Sequence, residues 1–225
     1  FKFQSEGEHS VKNIPDPIEA YSVLNIWRGQ EQKLLKSCRD MFETHLSESV
    51  PKVFQQVHET LFEMVVMPST ADEKNVYVKA IAALKHNKLE LEKSFCIGFL
   101  QTADDGIKSE RSSALPLDFE SIDVSDLDLV GKEETDHLFS LNYIVEKINS
   151  ECQNELFELD NRVSALVGKS GFKEDENPFG PKTFCDASKV ACDQLEADIN
   201  IKTLILRVLA IKLNAVVKTI YSDIN

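Results

Sequence analysis

The sequence predicts an all-α protein: a bundle of about five to six helices, several long and antiparallel, with an acidic irregular linker between its halves. Three observations lead there. Apolar residues recur at spacings of three and four through most of the chain, the period of one helix face. Only 8 glycines occur among 225 residues, and most prolines stand between periodic stretches, so tight turns are few. Hydrophobic residues make up 42%, enough to fill a core.

Residues 1–17 are polar and read as a loose N-terminal arm. Residues 18–101 read as a helical hairpin region. Its first helix carries a stripe of Leu34, Leu35, Cys38, Met41, Phe42 and Leu46. "SESVPK" ends that stripe, with Ser49 as an N-cap and Pro51 in the first turn of a second helix. This helix is buried through Val53, Phe54, Val57, Leu61, Phe62 and Val65. Thr70 followed by Glu73 has the form of a capping box, and the helix it opens repeats Tyr77, Ile81, Leu84, Lys88, Leu91, Phe95 and Phe99. The second and third helices therefore form an antiparallel pair.

Residues 102–131 are the acidic linker, with Gly106 and Pro116. Its second half, "LPLDFESIDVSDLDLV", alternates apolar and acidic residues, a pattern that fits a solvated linker or an arm laid on a partner surface. Residues 132–225 form a second helical region. Leu138, Val145, Cys152, Leu159 and Leu166 recur every seven residues, with Leu141, Ile148, Leu156 and Val163 between them. That is one straight helix of roughly 35 residues, whose stripe drifts against a strict heptad. Gly168 follows it as a C-terminal glycine. A short helix over about 181–195 and a long apolar one over about 198–222 close the chain.

Charge and composition remove several functions. The formal net charge of −13 opposes non-specific binding to nucleic acid or an anionic membrane. Eleven acidic and three basic residues fall between Asp104 and Asp136, so this stretch carries −8 of that charge. The last helix is interrupted by Lys202, Arg207, Lys212 and Lys218. Each would cost about 2.5–3.5 kcal/mol at mid-bilayer, so a membrane span is not expected. Its residues Leu204, Val208, Ile211, Val216 and Ile220 are instead candidates for a partner-facing surface. Five widely spaced cysteines with no C-x-x-C suggest reduced thiols in a cytoplasm.

No catalytic, cofactor-binding or metal-ligating residue is assigned. "LVGKSG" lacks the glycine a phosphate loop needs, because Val163 stands there and a helix precedes. Cys185 and Cys192 lie two turns apart, about 10.5 Å, too far to share a zinc ion. The five histidines have no metal-site spacing, and no serine-hydrolase elbow occurs. The densest stretch is "NPFGPKTFCDASKVACDQL", residues 177–195. Asn177, Pro178, Phe179, Gly180 and Pro181 read as a structural corner, with Pro181 in the first turn of a helix.

Four stretches together resemble a bacterial family catalogued as domain of unknown function 1631, DUF1631. They are "HETLFEMVV", "KNVYVKAIAALKHNKLELEKSF", "DLDLVGKEETDHLFSLNYIVEKINSECQNELFELDNRVSALVG" and "NPFGPKTFCDASKVACDQL". The resemblance runs from about residue 20 to the end, and "LVGKEETD", "LDNRVSAL" and "NPFGP" are its most specific parts. It implies a cytoplasmic, mostly helical protein without an established activity, here the N-terminal portion of a longer chain. Some members carry a cyclic-di-GMP-related region further along. Its R-x-x-x-R motif has no counterpart here, since no two arginines are four apart. Where Ser188 stands the family tends to an aromatic residue, and "VVMPSTAD" replaces a more regular alanine-rich turn.

The function expected is a non-catalytic helical interaction or regulatory scaffold. Its partner is another protein or the C-terminal remainder of the same chain. A connection to cyclic-di-GMP signalling would run through regions absent from this sequence. The alternative is a ligand- or nucleotide-binding module, or an enzyme, with a site between helices near residues 177–193, around Asn177, Asp186 and Asp193.

Overall fold

Two helices of 41 and 42 residues, each about 60 Å long, frame the molecule. In a computed structural model of the protein, the residues described are 2–9, 18–24, 26–68, 70–112, 132–169, 171–172 and 176–225. Among the described residues six helices make the fold all-α, as the periodicity predicts: α1 (Ile26–Val66), α2 (Ala71–Ser112), α3 (Lys132–Glu151), α4 (Gln153–Val167), α5 (Pro181–Asp193) and α6 (Ile199–Ile224).

The N-terminal end departs from the expectation. In place of a loose arm and a helix from Ile18, β1 (Lys2–His9) pairs antiparallel with β2 (Ile18–Leu24). The register slips by one residue between Ser5 and Gly7, a bulge. Ile18, Tyr21 and Val23 favour a strand. The partner strand lies nine or more residues upstream, outside the reach of a helical period.

The expected break at "SESVPK" is absent, and α1 runs through with Pro51 inside it. An interior proline costs about 3 kcal/mol through its lost hydrogen bond and ring clash. The apolar face on both sides offsets this. Leu35, Phe42 and Leu46 before the proline, and Val50, Val53, Phe54, Val57 and Leu61 after it, are all buried. Each such side chain is worth about 1.5–3 kcal/mol when fully buried. The helix continues because its stripe does. Leu34 and Met41, expected in that stripe, face outward, as do Phe62, Val66 and Met67 near the C-terminal end of α1.

Thr70 starts α2 as expected, its Oγ1 accepting a hydrogen bond from the Glu73 backbone N–H at 3.1 Å. The helix then extends to Ser112, taking in the first eleven residues of the expected linker. The rest of that linker, 113–131, lies outside the described residues. α1 and α2 are antiparallel, as expected. Arg39 pairs with Asp104 at 2.9 Å, Phe42 meets Phe99, and Lys88 donates to Gln55.

The single long helix expected after residue 131 is two. Cys152 departs from helical geometry, with φ −114° and ψ 25°. Hydrogen bonds from Cys152 N to Ile148 O and from Leu156 N to Cys152 O continue across the break, so the chain bends without losing its ladder there. The bend lets α3 pack on α5 and α6 while α4 packs on α1 and α6. The buried stripe becomes Leu141, Ile144, Ile148, Cys152, Leu156, Leu159 and Val163, and Leu138 is left 53% exposed. Gly168 ends α4 in the left-handed conformation, φ 81°, which favours glycine.

α6 sits centrally, packed on all five other helices. Twelve of its residues are buried, which explains its apolar composition. No helix among the described residues is long and apolar enough to cross a membrane. α5 is short and closely seated on α2. A side chain added at Gly98 would come within 3.2 Å of Val190, so glycine there permits the close approach.

Candidate functional site

The corner before α5 is built from backbone and side-chain groups that satisfy one another. Asn177 donates from Nδ2 to Asp160 Oδ1 at 2.6 Å, and its Oδ1 accepts from the Phe179 N–H at 2.9 Å. Gly180 N–H closes the turn on the Asn177 carbonyl, and the Thr183 hydroxyl donates to the Pro178 carbonyl at 2.8 Å. Pro181 occupies the first turn of α5, where no partner is needed for a missing N–H. The Tyr221 hydroxyl of α6 donates to the Phe179 carbonyl at 2.9 Å. Phe179 stacks on Phe42 of α1 with centroids 4.7 Å apart and planes 5° from parallel. Residues 177–181 are all buried.

The polar residues suspected around this corner do not converge. Asn177 is spent on Asp160 and Phe179. Asp186 faces Lys182 at 4.0 Å on the outside of α5. Asp193 is exposed at the opposite end of that helix. The thiols nearby are unreactive in character. Burial, aided by Asp193, pushes Cys192 up to about 12, and burial pushes Cys152 up to about 11. No disulfide joins cysteines among the described residues. Among the described residues no cluster of three or more His, Cys, Asp or Glu could hold a metal ion.

A different surface has the form of a binding site. α3–α4 and α6 run parallel, joined by a ladder of polar contacts. Asn200 donates to Glu133, His137 Nδ1 lies 3.1 Å from Thr203 Oγ1, and Arg207 Nε donates to Ser140 Oγ at 3.1 Å. Further along, Asn214 donates to Glu151, and Lys218 pairs with Glu155 at 3.7 Å. Between the Ser140 and Glu151 rungs the ladder is interrupted. Phe139, Ser140 and Tyr143 of α3 with Arg207 and Ile211 of α6 line an open groove of about 400 Å³. Phe139 is 65% and Ile211 54% exposed. No ion pair to Arg207 occurs among the described residues.

The corner, the ladder and the groove all fall within residues 30–225, the span matched by the family model described as "Protein of unknown function (DUF1631) N-terminal domain". The chain belongs to the DUF1631 family. No curated protein and no solved structure matches it.

Within this DUF1631 domain the five residues of α6 suspected of facing a partner divide. Val208 and Ile220 are 5% and 1% exposed and belong to the core. Leu204 and Val216 are half-buried, and Ile211 is exposed. A helix apolar on every side cannot disclose from its own sequence which side is covered. Sequence reasoning missed Phe139, Tyr143 and Arg207. A signal existed for the first two: they stand four apart, off the stripe that carries Leu141 and Ile148.

Proposed function

We propose that this DUF1631 domain is a non-catalytic helical scaffold that binds a protein partner through the α3–α6 face. The observation that carries the reading is the groove of Phe139, Tyr143 and Ile211 on two parallel helices. Contiguous exposed aromatic and aliphatic side chains of this kind mark interaction sites, and aromatic residues with arginine are the residue types that anchor them. The ladder of polar contacts on either side fixes the helices, so little order would have to be gained on binding. The partner is another protein or further chain of the same family member, met in the cytoplasm, where cysteines without a disulfide would stay reduced. The corner supports the scaffold reading rather than a ligand site, because Asn177 and Thr183 are already paired within the fold and Asp193 stands exposed at the far end of α5. Cyclic-di-GMP has no place in the reading of this domain, which lacks the paired arginines.

Cross-linking mass spectrometry on the intact protein in its own cell tests this. Cross-links to a partner should concentrate on Lys147, Lys202 and Lys212, which flank the groove in sequence. Ile211→Glu, at an exposed position, should remove them while leaving the helical circular dichroism signal and the melting temperature unchanged. Partner cross-links confined to other lysines, or undiminished in Ile211→Glu, would sink the proposal.

A further inference from the structure

A second groove lies on a different pair of helices and is independent of the α3–α6 face. Phe54, Gln55 and His58 of α1 and Leu84, Lys85, Lys88 and Leu91 of α2 enclose a cavity of about 260 Å³. Its floor is apolar, since Phe54, Leu84 and Leu91 are buried at 3%, 3% and 0% exposure. Its rim is basic. Lys88 is held over the groove, donating to Gln55 Oε1 at 3.2 Å and lying 3.9 Å from Glu92 Oε1. Lys85 and His58 have neither an ion pair nor a side-chain hydrogen bond among the described residues.

Such a rim stands out on a chain of net charge −13. Lys85, which has no counter-ion among the described residues, and Lys88, shared with Glu92, put positive charge beside a hydrophobic surface whose lining holds no carboxylate. We infer that the α1–α2 groove is a docking site for an acidic segment of a partner protein, with apolar residues at alternate positions. In an extended segment alternate side chains stand about 6.6–7 Å apart on one face. Leu84 and Leu91 are separated by about 10.5 Å along α2, so two such side chains fit between them. The flexible stems of Lys85 and Lys88 reach over the groove to carboxylates on the intervening residues. Complementary charge of this kind sets specificity and association rate more than affinity.

Fluorescence anisotropy on the full chain tests it, with a labelled peptide Leu-Asp-Leu-Asp-Phe-Glu-Leu-Asp as probe. The peptide should bind saturably, about tenfold more weakly to Lys85→Glu and less than about twofold more weakly to Lys36→Glu. Both lysines are exposed, and Lys36 stands about 28 Å before Gln55 along α1, so the pair separates a local contact from the general field. Binding should persist in Ile211→Glu, which keeps this site distinct from the α3–α6 groove. Absence of saturable binding, equal losses in both lysine variants, or equal binding of the peptide with lysine in place of its acidic residues would each overturn the inference. So would a tenfold gain on replacing residues 113–131 by a glycine-serine stretch of the same length, since the chain's own acidic segment would then be the occupant.

Discussion

Asp160 shows how one side chain ties the family's most specific corner to the rest of the bundle. It is half-buried on α4 and accepts the Asn177 side-chain amide at 2.6 Å. Burial pushes its carboxyl above the usual carboxylate range, more than the Asn177 hydrogen bond pulls it down. A folded pKa above the unfolded one means that the folded chain holds the proton more tightly. The charge on Asp160 therefore subtracts from stability at neutral pH, and the loss is relieved as pH falls through the folded pKa. Asp160→Asn keeps an acceptor oxygen for Asn177 and removes the charge. In urea unfolding it should be more stable than the parent at pH 7, with the difference shrinking as the pH drops into the carboxylate range. A difference that does not change with pH, or a less stable variant at pH 7, would show that desolvation of this carboxylate is not the controlling cost.

At the scale of elements, α1 offers the sharpest test, because its local signals and its packing disagree. "SESVPK" has the form of a helix start, with Pro51 where its missing N–H is harmless, yet the helix passes through it. Pro51→Ala restores an N–H in the helix interior and removes the ring clash. It should stabilise the protein by about 1–3 kcal/mol. Chemical denaturation with an unchanged slope would measure this. Were the helix broken at Ser49, Pro51 would sit in a first turn, and the same substitution would leave stability nearly unchanged or lower it. The same contest decides what was legible in the sequence. The Thr70 cap, Gly168, Pro181 and the extent of α5 and α6 were legible because local chemistry and packing agree there. The bend at Cys152 was not, since an unbroken apolar period crosses it and only the demands of two sets of neighbours create it. The β1–β2 pairing depends on a partner strand, and the exposure of Phe139 and Ile211 depends on which helices cover α3 and α6.

For the whole molecule, cohesion rests on an aromatic cluster that no single stripe reveals. Phe42 of α1 lies 5.3 Å from Phe99 of α2, 4.7 Å from Phe179 of the corner and 6.3 Å from Tyr221 of α6, by ring centroids. Phe184 of α5 meets Phe99 and Tyr221 at 4.6 and 6.0 Å, so four helices and the corner share one set of rings. Phe42 is 0% exposed. Deleting its ring removes the transfer energy of the side chain and leaves a cavity where several elements meet, so collapse can only be partial. Phe42→Ala should cost about 3–5 kcal/mol, a large share of the roughly 5–15 kcal/mol by which a domain is stable. Because the rings join both halves of the chain, the loss should appear as one earlier transition, seen alike by far- and near-ultraviolet circular dichroism. Phe62→Ala, which removes a ring 59% exposed on the same helix, should change stability by less than about 0.5 kcal/mol. If Phe42→Ala instead split unfolding into two separate transitions, α1–α2 and α3–α6 would be independent units, and the cluster would not be what makes them one bundle.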